Sequence, residues 1–126
     1  MLRQPVSTHA GLLAGIAGAS AVLLGAFGAH ALRGVLDDHA SELWRTAVNY
    51  HAWHALALVL AVGLGHGRSG RFAMAAFALG IVLFSGSLYA LALGAPRWIG
   101  IITPFGGVAF ISGWIALGLS LRTRGG

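Results

Sequence analysis

The residues with chemical potential crowd into one stretch, Thr46 to Leu58, read TAVNYHAWHALAL. Asn49, Tyr50, His51, Trp53 and His54 stand close together at the start of an otherwise apolar run. Polar side chains inside a bilayer cost free energy, so they normally face the interior of a helix bundle. Imidazoles placed there can carry a proton near neutral pH, hold a small polar ligand, or ligate haem or a divalent metal. On a helix, Tyr50 and His54 share a face, and His51 and His54 are also neighbours. Asn49 and Trp53 make the adjoining face. All five cannot point inward. His54 is the deepest, so Tyr50 and His54 are the leading candidates and His51 and Asn49 secondary ones, with Trp53 read as packing or interfacial.

The rest of the chain must position these groups, and its composition says how. Of 126 residues, 57% are hydrophobic and 9% charged. Soluble domains carry about 25% charged residues, so this is a membrane composition. Four apolar runs, about 8–32, 46–65, 72–93 and 99–121, are each long enough to cross a hydrocarbon core of about 30 Å. The expected fold is therefore an all-α bundle of four transmembrane helices, one domain over residues 1–126 with both termini on the same side. Ala29-His30-Ala31 resembles a signal-peptidase site, but the first run is long for a signal core and three more spans follow. Small residues recur every seven positions, at Gly11, Gly18 and Gly25 and again at Ala73, Gly80, Ser87 and Gly94. Such stripes let helices approach closely.

The net charge is +5, and all eight basic residues are arginines scattered singly or in pairs between apolar runs. A nucleic-acid binder concentrates them on one face, so no nucleic-acid partner is expected. Arg3, Arg68, Arg71, Arg122 and Arg124 fall on the side of the termini; Arg33, Arg45 and Arg97 fall opposite. That bias favours both termini in the cytoplasm. The segment Arg33 to Arg45 holds all three acids, Asp37, Asp38 and Glu42. It reads as a solvated connector with a short interfacial helix, Asp37 or Asp38 at its cap, and Trp44 at the headgroups.

Topology then supplies depth. His30, His54, the Ser85-Gly86-Ser87-Tyr89 group, Thr103-Pro104 and Gly106-Gly107 all fall in the outer half, while the cytoplasmic half is nearly featureless. Pro104 lacks an N–H and is expected to kink the fourth helix, with Gly106 and Gly107 allowing close packing. His30, Tyr50, His54, Ser85, Ser87, Tyr89 and Thr103 form the expected polar cluster. Three roles are open to it. It can be hydrogen-bonding glue in a structural, assembly or interaction component, within a homo-oligomer or a larger membrane complex. It can bind or transport a small ligand, proton or ion. His30 and His54 together could instead hold haem or a divalent metal. Cysteine is absent, and no intramembrane carboxylate or nucleophile elbow supports hydrolysis, so no cofactor and no enzyme activity is expected.

The motifs GAFGAH (Gly25 to His30), AVNYHAWHALAL (Ala47 to Leu58), LFSGSLYALAL (Leu83 to Leu93), TPFGG (Thr103 to Gly107) and Gly113-Trp114 occur in order. With them, the chain resembles the YgdD-type small inner-membrane proteins, a domain of unknown function with relatives among small mitochondrial transmembrane proteins. The resemblance implies a four-helix inner-membrane protein and no established activity. Its pattern matches at His30, Tyr50, His54, Ser85, Gly86, Ser87, Tyr89, Pro104 and the Gly106-Gly107 pair, but does not require His51.

Overall fold

The computed structural model describes residues 7–124, with side chains through Arg122. Arg3 and the side chain of Arg124, both counted in the charge asymmetry, lie outside the described set. The helices are α1 (Thr8–His30), α2 (Asp38–Leu64), α3 (Gly67–Gly80), α4 (Gly86–Ala92) and α5 (Thr103–Arg124). A π-helical turn, Ile81–Ser85, joins α3 to α4, and a 3-10 turn, Arg97–Ile101, leads into α5. Four spans are long and apolar enough to cross a membrane: Thr8–His30, Asp38–Leu64, Gly67–Ala92 and Arg97–Arg122. Their outward surface is apolar, with Ile16, Val22, Leu56, Val82, Phe105 and Ile115 all exposed, as lipid contact requires.

α2 is the central helix and touches α1, α3, α4 and α5. Ser7 caps α1 by accepting from Ala10 N, and Asp37 caps α2 by accepting from Ala40 N at 2.8 Å. The cap sits so early that α2 absorbs most of the expected connector. No separate interfacial helix forms, and only the turn from Ala31 to Leu36 remains, with Gly34 at φ +77°. Trp44 consequently does not face outward. It is buried on α2, its indole N–H donates to Leu24 O at 3.0 Å, and its ring packs over Gly28 and against Tyr89.

The seven-residue stripes fare unequally. In the third span, Ala73, Gly80 and Ser87 are buried as expected, while Gly94 serves a turn at φ +103°. In α1 the buried residues are Ala14, Ala17 and Ala21, and nothing lies within 4 Å of where a Cβ on Gly15 or Gly18 would project. α1 therefore docks on alanines spaced three and four apart, with Gly25 and Gly28 continuing toward its C-terminal end.

α3 and α5 run antiparallel and interlock by exchanging aromatic rings for glycines. The Phe110 ring fills the space at Gly80, Phe77 fills it at Gly113, and the backbone of Phe84 lies against Gly106. A Cβ on Gly106 would stand 2.7 Å from Phe84 Cα, whereas one on Gly107 would only reach Phe84 Cδ1 at 4.0 Å. Of the expected pair, Gly106 alone is needed for close packing. Pro104 does not stand in the interior of an α-helix. It stands in the first turn of α5, where its missing N–H leaves no helical bond unmade, and the 3-10 turn precedes it. The unexpected irregularity is the π turn, which closes through Gly86 N to Ile81 O. A π turn inserts one extra residue into a helix.

Candidate functional site

Two histidines on α2 organise the polar interior, and they face different neighbours. His54 is buried on the side toward α5. Its ring lies flat against Phe110, with centroids 3.6 Å apart and planes within 11°. Tyr50 stacks in parallel at 6.0 Å, and Phe77 and Trp114 complete the surround. Nδ1 lies 2.7 Å from Tyr50 O, and Nε2 lies 3.1 Å from Trp114 Nε1. A carbonyl only accepts and an indole N–H only donates. Nδ1 therefore carries the proton and Nε2 accepts, which fixes His54 as one neutral tautomer.

His51 is buried toward α1 and α4. Nε2 lies 3.1 Å from Ala17 O and 3.0 Å from Ser20 Oγ, and Nδ1 lies 2.8 Å from Tyr89 Oη. Ala17 O only accepts, so Nε2 bears the proton; Tyr89 O–H donates to Nδ1, and Ser20 O–H donates to Ala17 O. The result is a continuous chain, Tyr89 to His51 to Ser20 and Ala17, tying α4, α2 and α1 together.

The serines of the third span bind in two directions. Ser85, fully buried, donates to Ala47 O on α2 at 2.7 Å. Ser87 bonds Phe84 O and the hydroxyl of Thr103 at the start of α5. Successive residues on a helix turn by about 100°, so serines two apart address opposite neighbours.

The expected cluster is thus partly assembled. Tyr50, Ser85, Ser87, Tyr89 and Thr103 lie toward the end of the bundle where α2 begins, His54 sits past the middle of α2 at the level of Phe77 and Trp114, and His51 moves from a secondary member to the centre of the longest chain. His30 does not join. It is exposed at the last residue of α1, and the pairing of Ala17 with His51 and of Leu24 with Trp44 places it beside the first turns of α2. That is roughly 20 Å along the helix axis from His54, at about 1.5 Å per residue. His30 and His54 share no site, and both nitrogens of His54 are already engaged, so a haem or metal held between them does not fit this donor set. Asn49 is also exposed. It lines a cleft of about 400 Å³ where α1 ends and α2 begins, with Arg33, Ser41, Trp44 and Arg45.

Sequence reasoning missed Ser20, Trp114 and Ser120. Ser20 gives no signal in an alanine-rich helix until its register against α2 is known. Trp114 was visible as a motif, but its N–H role was not. Ser120, fully buried, accepts from His66 N at 2.7 Å and donates to His66 O at 3.0 Å. It clips the end of α5 to the α2–α3 turn, so the half expected to be featureless has a polar tie of its own.

Comparison with known proteins gives a consistent kinship. Residues 24–107 match the family described as "Protein of unknown function (DUF423)". The chain is 48% identical over 102 residues to the UPF0382 membrane protein YwdK of Bacillus subtilis, covering 77% of this chain and 82% of that one. It is 45% identical over 108 residues to a UPF0382 membrane protein of Haemophilus influenzae, covering 83% and 86%. It is 43% identical over 106 residues to the UPF0382 inner membrane protein YgdD of Escherichia coli, covering 82% and 81%. No solved structure matches it. Four apolar spans and similarity over most of the chain agree, and the chain belongs to the DUF423/UPF0382 family of membrane proteins.

Proposed function

We propose that the protein is a structural or interaction component of the membrane, working as a scaffold, an assembly factor, a homo-oligomer or a subunit of a larger complex. The supporting observation is the completeness of its internal pairing. Among the described residues, no buried side-chain nitrogen or oxygen lacks a hydrogen-bond partner. A ligand site presents polar atoms to a cavity. Here His54, Ser85, Ser87, Tyr89 and Thr103 direct theirs at neighbouring helices. Native mass spectrometry of protein extracted with its surrounding lipid tests this. A stoichiometric protein partner or second copy supports it. A stoichiometric small molecule that is lost in a folded His54→Phe variant sinks it.

A second reading rests on His51. Unlike those of His54, all its neighbours can accept a second imidazole proton: Ala17 O accepts only, and Tyr89 and Ser20 hydroxyls accept as readily as they donate. His51 is then the residue to hold a proton in transit. Proton flux in proteoliposomes that is lost in His51→Phe but kept in His54→Phe would support this reading, and absence of flux in the unmodified protein would remove it.

We infer further that both termini face the cytoplasm, because five arginines stand on their side and three opposite. The chain has no cysteine, so Ser69→Cys gives a single labelling site. Labelling only from the non-cytoplasmic side would reverse the orientation.

A further inference from the structure

The three acidic residues, Asp37, Asp38 and Glu42, all lie at the end of the bundle where α2 begins. At that end the cleft beside Arg33 and Arg45 is partly neutralised, since Arg45 pairs with Glu42 at 3.0 Å. The opposite end, where α3 begins and α5 finishes, carries Arg68, Arg71 and Arg122 and no aspartate or glutamate. Among the described residues, no carboxylate side chain pairs with these arginines.

A groove of about 460 Å³ starts at this basic end and runs between α3 and α5 on the lipid-facing surface. Arg68 and Ser69 stand at its mouth, and Phe72, Ile115, Leu119 and Ser112 line it. The Ser120–His66 hydrogen bonds fix the level of α5 against α3. Leu119 is one turn short of Arg122, so both helices deliver an arginine to the same end. From Leu119 back to Ser112 the groove descends about 10 Å into the bilayer, at about 1.5 Å per residue. Phe72, Ile115 and Leu119 are exposed, and at this depth what covers them is hydrocarbon.

We propose that this groove is a binding site for an anionic phospholipid, with its phosphate at Arg68 and Arg122 and one acyl chain laid along Phe72, Ile115 and Leu119. Basic mouths between membrane helices select anionic headgroups, and the apolar lane supplies what a free phosphate lacks. A zwitterionic lipid would fill the lane but bring a cation to a site already rich in arginine.

The test is native mass spectrometry of the full chain released from nanodiscs of mixed phosphatidylglycerol and phosphatidylcholine. Phosphatidylglycerol is expected to be retained preferentially. Arg68→Gln should lower that retention about fivefold, the typical worth of one basic residue near an anionic headgroup. Ser112→Phe, which fills the lane and keeps both arginines, should lower retention as well. Inorganic phosphate should not compete. Unfolding temperatures in pure phosphatidylcholine discs establish that each variant is folded, and if Arg68→Gln is not, Ser112→Phe decides. Equal retention of the two lipids, displacement by inorganic phosphate, or unchanged retention in the folded variants would overturn the proposal.

Discussion

His51 and His54 are three residues apart on one helix, yet they are held by opposite means. His54 belongs to the side of α2 that meets α3 and α5, where aromatic rings surround it and its two polar partners admit a single protonation pattern. His51 belongs to the side that meets α1 and α4, where Ala17 O holds the proton on Nε2 and the Tyr89 hydroxyl can accept from a second proton on Nδ1 without moving a heavy atom. A three-residue step turns the helix by about 300°, which leaves about 60° between the two side chains. That suffices to give each a different neighbour, because α2 packs against α1 and α4 on one side and α3 and α5 on the other. The lesson is that burial and family resemblance do not by themselves identify the adaptable residue; the chemistry of its partners does.

Substitutions should expose this contrast in order of size. His54→Ala removes the ring stacked on Phe110 and strands the Trp114 N–H, and a loss of about 3 kcal/mol is expected in equilibrium unfolding from lipid or detergent. Gly106→Ala drives a Cβ into the backbone of Phe84 and should cost about 2 kcal/mol, whereas Gly107→Ala should change stability by less than about 0.5 kcal/mol. His51→Phe keeps ring volume but loses its bonds to Tyr89, Ser20 and Ala17, for about 1 to 2 kcal/mol at the roughly 0.6 kcal/mol typical of an interhelical bond in membranes. Ser20→Ala should cost about 0.6 kcal/mol. If His51→Phe destabilises more than His54→Ala, the α1 and α4 side of α2 is the more tightly held of the two.

The spans were legible because about 20 apolar residues between arginines admit few other readings in so apolar a chain. A cap at Asp37 or Asp38 was legible too, though not that it begins the second span itself. What escaped depends on how one helix meets another. Trp44 near a span boundary reads as interfacial, and only its position opposite Gly28 shows that it turns inward. Pro104 reads as a kink until the 3-10 turn before it places it at a helix start. The π turn at Ile81–Ser85 leaves no compositional mark, since Ile-Val-Leu-Phe-Ser suits a regular helix equally well. His30 was misplaced because equal depth was inferred from loop position, whereas α2 extends well beyond its apolar core and carries His54 far from the end of α1.

The exchange of rings and glycines between α3 and α5 also bears on how the chain reaches its fold. In the native pairing Phe110 meets Gly80, Phe77 meets Gly113 and Phe84 meets Gly106. Sliding one helix by a turn, about 5.4 Å, breaks all three matches at once. In one direction Phe110 runs into Phe84. In the other Gly80 faces Gly106 across a void. Hydrocarbon solvates every register alike, so this alternation and the polar ties at the two ends, Ser87 to Thr103 and Ser120 to His66, are what oppose slipping. The alternation works as a key cut on both edges: it gives this hairpin one alignment of its own, independent of the alanine face by which α1 rests against α2.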